Sequence, residues 1–111
     1  MKAKEFERSK IFNLAQSIDY AKESVVSKTV TNRPEGTITL FAFDKGQGLS
    51  EHTTPFDAHV EVLDGEVRVL IGGKEYELST GEMIIMPANI PHALEAIKAF
   101  KMLLTMVKSR A

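Results

Sequence analysis

The chain has 111 residues, 43% of them hydrophobic and 26% charged, and a formal net charge of −1. This length suits one domain with one core, and the composition is that of a folded globular protein rather than a disordered one. The near-neutral charge gives no electrostatic reason to expect nucleic acid or an anionic membrane as a partner, and the absence of cysteine excludes disulfides and thiolate metal sites. The charged start MKAKEFERSK lacks the apolar run of a signal peptide, and no apolar run approaches the roughly 20 residues that span a bilayer. We therefore expect a cytoplasmic protein.

Residues 1–23 form an N-terminal segment that we expect to be partly helical and partly extended. It is the only region whose apolar residues fall near helical spacing, although the pattern is short and poorly capped. These residues are Phe6, Ile11, Leu14, Ala15 and Ile18.

From residue 24 to residue 111 the composition changes to strand formers separated by glycine and proline, without a long linker or a repeat. This pattern predicts one all-β domain. We predict strands at 24–32, 36–44, 57–63, 66–71, 74–79, 82–86, 91–97 and 100–108. Short strands at such spacing are typical of a sandwich or a barrel.

Two short turns each predict a tight hairpin. Asp64-Gly65 and Gly72-Gly73 are loops of the kind that tolerate positive φ at both central positions. The first turn would place Val62 opposite Val67 and Glu61 opposite Arg68. The second would place Val69 opposite Tyr76, Val67 opposite Leu78 and Arg68 opposite Glu77.

These registers separate the side chains into an apolar face and a charged face. The charged face would carry a cross-strand ladder of Glu61, Arg68 and Glu77. His59 lies one residue out of phase with its apolar neighbours, so it shares the charged face, and we expect a surface or dimer-contact histidine there rather than an interior ligand. The apolar face comprises Ala58, Val60, Val62, Val67, Val69, Ile71, Tyr76 and Leu78.

The stretch from Gly46 to Gly65 resembles the first motif of the cupin superfamily, G-x5-H-x-H-x3-E-x6-G, and aligns with it without a gap. His52 matches the first histidine of the motif. Thr54 stands where the family has its second histidine, and Ala58 stands where it has glutamate. The glycines of the motif are therefore kept, while most of its metal ligands are not.

The second cupin motif, G-x5-P-x-G-x2-H-x3-N, aligns without a gap from Gly81 to Ala96. Pro87 and His92 match it, and Asn89 can take the left-handed conformation for which the family uses glycine. The resemblance implies a double-stranded β-helix, also called a jelly-roll barrel, over the strand-rich region.

In cupins, the histidines and glutamate of the two motifs bind one divalent metal, and the resemblance leaves only His52 and His92 for that role. A catalytic zinc usually has three protein ligands, and iron oxygenases use two histidines and a carboxylate. Asp57 is the candidate third ligand, because it follows Pro55 in a stretch that can be irregular, although it is out of phase with the inward Ala58. The ligand set for zinc, iron, nickel or manganese is therefore incomplete.

Three functions stay open at this point. The favoured one is a small cupin that binds a small molecule in a mostly apolar pocket with an incomplete metal site. The second is a metal-dependent dioxygenase or isomerase that uses His52, His92 and a third ligand. The third is a metal-independent epimerase or isomerase in which His52 or His92 acts as base or acid, since the histidine pKa lies near neutrality. The expected pocket residues are His52, Thr54, Ala58, Val60, Tyr76, His92 and Leu94.

The C-terminal stretch FKMLLTMVK is apolar on both faces, with Leu103 and Val107 opposite the remaining apolar side chains. A strand that is apolar on both faces needs a cover on each. Small cupins are commonly dimers, so the resemblance and the pattern together predict a homodimer. We expect no nucleic acid and no membrane among its partners.

Overall fold

The computed structural model describes residues 4–109, and over this range the chain is almost entirely β-structure. One 3-10 turn, η1 (Leu14–Gln16), precedes the strands. The strands are β1 (Val25–Arg33), β2 (Gly36–Phe43), β3 (Gly48–His52), β4 (Phe56–Asp64), β5 (Glu66–Ile71), β6 (Lys74–Ser79), β7 (Met83–Met86), β8 (His92–Ala96) and β9 (Phe100–Lys108).

The strands form two antiparallel sheets that pack face to face. The first sheet has five strands in the order β1-β2-β9-β4-β7, and the second has four in the order β3-β8-β5-β6. This arrangement is the predicted jelly-roll barrel. The core between the sheets contains Phe43, Ala58, Val60, Val62, Val67, Val69, Leu78, Met86, Leu94, Ala96, Phe100 and Met102.

The hairpin between β5 and β6 has the predicted register. Val69 pairs with Tyr76 and Val67 pairs with Leu78. Gly72 and Gly73 have φ of 56° and 83°, as a two-residue turn with positive φ at both central positions requires. The glycine pair therefore determined both the turn and the register.

The predicted hairpin at Asp64-Gly65 is wrong. β4 pairs with β7 and β9, whereas β5 pairs with β6 and β8, so the turn carries the chain from one sheet to the other. Gly65 has φ of 85°, and a Cβ there would collide with the carbonyl of Ala99. The glycine is needed for this conformation and close approach, which a local turn signal does not distinguish from a hairpin.

The wrong hairpin also removes Glu61 from the predicted charged ladder, whereas Arg68 does lie opposite Glu77 as predicted. Glu61 belongs to the other sheet, and Arg68 instead forms an ion pair with Glu95 at 2.7 Å between Nη1 and Oε1. Glu75 lies 3.7 Å from Nε of the same arginine. The inward and outward faces are nevertheless as predicted, because alternation along a strand does not depend on its pairing partner.

The described part of the N-terminal segment has turns and irregular stretches apart from η1, in which the Asn13 side chain accepts a hydrogen bond from Gln16 N–H. The segment crosses the outer face of the five-stranded sheet. There Ile18 is buried with Leu40 and Ala42, and Leu103 packs against them. The N-terminal segment thus supplies part of the cover that the sequence led us to expect from a second subunit.

Strand β3 was missed by the sequence analysis. It lies at the edge of the four-stranded sheet, and only Leu49 of its five residues is not exposed. Such a strand lacks the alternation of apolar and polar residues from which a strand is predicted. None of the described residues belongs to a helix that is long and apolar enough to cross a membrane.

Candidate functional site

The two motif histidines meet at one end of the four-stranded sheet. His52 ends β3 and His92 begins β8, and the two residues are register partners across these neighbouring strands. Their Nε2 atoms are 3.1 Å apart, and the rings meet edge to face with centroids 4.4 Å apart. His92 is only 2% exposed, while His52 is exposed. The site is thus an imidazole pair with one buried and one accessible member.

Backbone carbonyls determine where the protons of this pair lie. His52 Nδ1 is 2.7 Å from the carbonyl of Ser50, which can only accept, so Nδ1 carries the proton and donates it. Neutral His52 then has a free lone pair at Nε2, and His92 donates its Nε2–H to it. His92 Nδ1 is left facing the carbonyl of Ile90 at a longer 3.3 Å. The two distances agree with this assignment, which rests on the hydrogen-bond network.

Burial lowers the pKa of His92, and the neighbouring His52 lowers it further. The Ile90 carbonyl opposes this shift, because it would accept a hydrogen bond from Nδ1–H of the protonated imidazole. The buried imidazole is therefore held in its neutral form near neutral pH. A neutral imidazole can donate at one nitrogen and accept at the other.

A methyl group occupies the position that corresponds to the cupin glutamate. Ala58 is 1% exposed, and its partners on the two neighbouring strands are Met86 and Met106. The five-stranded sheet therefore has three apolar side chains side by side here, one each from β7, β4 and β9. Thr54, at the position of the second histidine, lies in the loop before β4, where its carbonyl accepts a hydrogen bond from Asn89 N–H.

Asp57 is not brought together with the two histidines as a third ligand. Its Oδ1 accepts a hydrogen bond from Ala88 N–H at 2.9 Å, and it is out of phase with the inward Ala58. Within residues 4–109, no group of three or more histidine, cysteine, aspartate or glutamate side chains could hold a metal ion.

The residues present therefore fit a divalent metal only in part. Two nitrogens bound to one zinc ion at about 2.1 Å each would be about 3.0 to 3.4 Å apart, and the imidazole pair has that separation. The third protein donor is missing. The methyl group of Ala58 stands where the family motif has a carboxylate, and the Asp57 carboxylate accepts a hydrogen bond from the backbone N–H of Ala88. The donor set does not complete the metal site of the family.

The predicted pocket residues divide into a packed group and an accessible group. Ala58, Val60 and Leu94 are between 0% and 4% exposed and belong to the core between the sheets. Thr54 and Tyr76 are half-buried.

Other sequence predictions near the site are confirmed. His59 lies on the face of β4 opposite to the buried Ala58 and Val60. Asn89 is in the left-handed region with φ of 66°. The sequence analysis missed the carbonyls of Ser50 and Ile90, each two residues before its histidine, since no side-chain motif marks a backbone acceptor.

An antiparallel double-stranded β-helix with a histidine from each of two motifs at one end defines the cupin class of barrel. The family model described as "Cupin domain" matches residues 39–108, and the chain belongs to this family. No curated protein matches the chain.

Solved structures share the fold over most or all of the chain. A conserved protein of unknown function from Streptococcus pyogenes is 38% identical with a TM-score of 0.91, over 100% of this chain and 98% of that one. A Cupin 2 conserved barrel domain protein from Leptotrichia buccalis is 44% identical with a TM-score of 0.85, over 87% of this chain but only 47% of that one. A cupin superfamily protein from Desulfitobacterium hafniense, 24% identical with a TM-score of 0.88, shares the fold over 98% of this chain and 100% of that one.

Proposed function

We propose that the chain binds a small molecule at the end of the barrel where His52 and His92 meet, without a resident metal ion. The observation that carries this proposal is the pair of imidazoles, one buried and one accessible, at a place where Thr54 and Ala58 leave the donor set for a metal incomplete. Polar groups placed in an otherwise apolar wall are typical of ligand sites, because they orient the ligand while apolar contacts supply affinity. A cytoplasmic location stays a prediction of the sequence.

The imidazole pair favours a ligand with one hydrogen-bonding group and an apolar body. Turning exposed His52 away would free the Nε2–H of His92, which would then donate to a carbonyl, carboxylate or hydroxyl oxygen of the ligand. The half-buried hydroxyls of Thr54 and Tyr76 offer further polar contacts. Ala58 and Leu94 would form the apolar floor.

The neutral state of His92 favours a second function, proton transfer in an epimerase or isomerase. A buried imidazole with a lowered pKa is a neutral base once His52 turns away and the proton of His92 lies on Nδ1 against the Ile90 carbonyl, because its Nε2 lone pair then accepts a proton from the ligand. This reaction needs no metal ion. Binding and proton transfer would use the same two side chains.

Elemental analysis of protein purified without chelators tests the metal-free site. We expect substoichiometric zinc, iron, nickel and manganese, with no difference between wild type and His92→Ala. A stoichiometric metal that is lost in both His52→Ala and His92→Ala would contradict the proposal and favour the metal-dependent enzyme. His59→Ala is the matched control, because this histidine faces away from the barrel interior.

A fragment library followed by NMR of the imidazole resonances tests ligand binding. We expect bound fragments to shift the His52 and His92 signals, to leave His59 unshifted, and to bind at least tenfold more weakly to His92→Gln. Fragments that bind equally well to the variant would contradict the proposed site. Exchange of carbon-bound hydrogen in the bound compounds would show that the protein also catalyses proton transfer.

A further inference from the structure

The imidazole pair belongs to a longer row of side chains on the inner face of the four-stranded sheet. His52 pairs with His92, which in turn pairs with Ile71. Ile71 pairs with Lys74 across the Gly72-Gly73 turn. Residues that pair directly across neighbouring strands point to the same face of the sheet. The row therefore carries two imidazoles, one aliphatic side chain and one ammonium group, in that order.

Lys74 is exposed, yet its side chain lies on the same face of the sheet as the core. Tyr76, two residues further along β6, packs against the buried cluster between the sheets, as does Ile71. The Lys74 Nζ lies 5.4 Å from the centroid of the Tyr76 ring, so the lysine side chain runs along this inner face. The ammonium group is thus at the mouth of the barrel, at the same end as His92.

The ammonium group of Lys74 has no protein partner of opposite charge. Within residues 4–109, Lys74 forms no ion pair and its Nζ donates no hydrogen bond. Over the same range, the Tyr76 hydroxyl also makes no hydrogen bond. The neighbouring Glu75 is out of phase with Lys74, and its carboxylate lies 3.7 Å from Nε of Arg68. A cation and a hydroxyl group are therefore both available to a ligand here.

The charges on the inner face at this end of the barrel favour a negative ligand group. Lys74 lies on one sheet, and Lys108, which pairs with Phe56 in phase with the inward residues, lies on the other. In the described strands β4 to β9, no aspartate or glutamate shares these inward positions at this end. Asp57 and Glu75 are each one residue out of phase with them. A bound carboxylate would meet positive charge and no competing carboxylate from these strands.

The loop before β8 holds the imidazole and the lysine in a fixed arrangement. Gly72 N–H donates to the carbonyl of Pro91, the residue before His92, at 2.8 Å. Ile90 lies beside the same turn, since a Cβ on Gly72 would be 3.4 Å from its Cγ2. Two strand spacings place the backbones of His92 and Lys74 about 10 Å apart. A ligand that reaches both side chains therefore needs a short apolar body between two polar ends.

We propose that the ligand of this site is a small organic acid, with its carboxylate on Lys74 and a hydroxyl or carbonyl oxygen on Nε2–H of His92. This inference rests on the binding site proposed above and adds the chemical class of its ligand. The Tyr76 hydroxyl donates a second hydrogen bond to the carboxylate, and the apolar body lies over Ile71. Charge-assisted hydrogen bonds are roughly twice as strong as neutral ones, so the carboxylate both adds affinity and orients the ligand.

The experiment compares small acids with their neutral amides by NMR titration of the full chain. The probes are para-hydroxyphenylacetate and omega-hydroxyhexanoate, each paired with its primary amide. Wild type should bind each acid about tenfold more tightly than the amide, as expected when a charge-assisted hydrogen bond replaces a neutral one. K74M should lose this preference by weakening the acid alone, because methionine keeps an unbranched apolar side chain without the charge. Y76F should weaken the acids by a smaller factor.

The matched control is K45M, which removes the same charge from the chain. Lys45 is exposed and lies at the opposite end of the barrel, where the neighbouring Gly46 N–H donates to the Ala96 carbonyl at the far end of β8. K45M should bind the acids like wild type. Because Lys74 is exposed, circular dichroism of K74M should show unchanged folding.

Three results would overturn the inference. They are acids that wild type binds no more tightly than their amides, acids that K74M binds as tightly as wild type, and an equal loss of binding in K45M and K74M. Binding of neither acid to wild type would also overturn it. The proposed binding site would survive each of these results if other compounds shift the His92 signals and bind more weakly to His92→Gln.

Discussion

The chemistry of the site depends on a few individual side chains. His52 and His92 provide two nitrogen donors at a separation that suits one metal ion, but Ala58 provides a methyl group where the family motif has a carboxylate. With the third donor absent, the two imidazoles bind each other through a shared hydrogen bond. Two residues, Thr54 and Ala58, thus separate the metal site of the family from this hydrogen-bonding pair.

The buried imidazole should make stability depend on pH. Burial lowers the pKa of His92 in the folded state, so the unfolded chain binds a proton that the folded chain does not. The free energy of unfolding should therefore fall as pH drops from about 7.5 to about 5, through the usual histidine pKa and toward the lowered one. Urea unfolding across this range measures the slope.

Replacement His92→Gln should flatten that pH dependence, and His59→Gln should leave it as in wild type. A wild-type slope that survives in His92→Gln would show that another group titrates. The comparison uses differences between variants, because carboxylates elsewhere in the chain contribute to the absolute slope.

The N-terminal segment is an element without regular secondary structure that is still part of the fold. Its helical spacing of apolar residues produced one 3-10 turn, because Leu14 and Ile18 pack on an underlying sheet rather than along one face of a helix. Lys28 and Lys101 anchor it by donating to the carbonyls of Ser17 and Ala15. Tertiary contacts, not local propensity, hold it in place.

Replacement Ile18→Ala should lower the free energy of unfolding by about 2 to 5 kcal/mol, the usual cost of truncating a fully buried aliphatic side chain. Ile18 is 1% exposed and contacts the outer face of the sheet. Chemical denaturation measures the change. Ile90→Ala at an exposed position should change stability by about 0.5 kcal/mol or less. An equally small loss of stability in Ile18→Ala and Ile90→Ala would mean that packing of the N-terminal segment does not stabilise the fold.

The whole molecule is held together by pairs of strands that are distant in sequence. β9 lies between β2 and β4, so Gly36 pairs with Val107 across almost two thirds of the chain. The long loops between such strands must close, at a cost in conformational entropy, before the stabilising contacts form. This makes folding slow.

Stopped-flow refolding should therefore take on the order of milliseconds to seconds, as in other all-β domains. The rate should not depend on protein concentration if the barrel forms before the homodimer that the sequence predicts. Refolding within microseconds would contradict the dominance of non-local pairing.

The sequence by itself determined which side chains point inward and the register of one of the two hairpins it predicted. Alternation placed Ala58 and Val60 inside and His59 outside, and the glycine pair Gly72-Gly73 set the β5–β6 register, because both signals act within a few residues. The spacing of the two cupin motifs was sufficient to predict the barrel itself.

Only the tertiary structure decided which strands pair and which side chains meet at the candidate site. Asp64-Gly65 has the same local signal as a hairpin but joins two sheets, since pairing partners are chosen by packing across the whole barrel. His52 and His92, 40 residues apart, meet because β3 adds to the edge of β8. Contacts between distant segments depend on the topology of the entire chain, which no short stretch of it encodes.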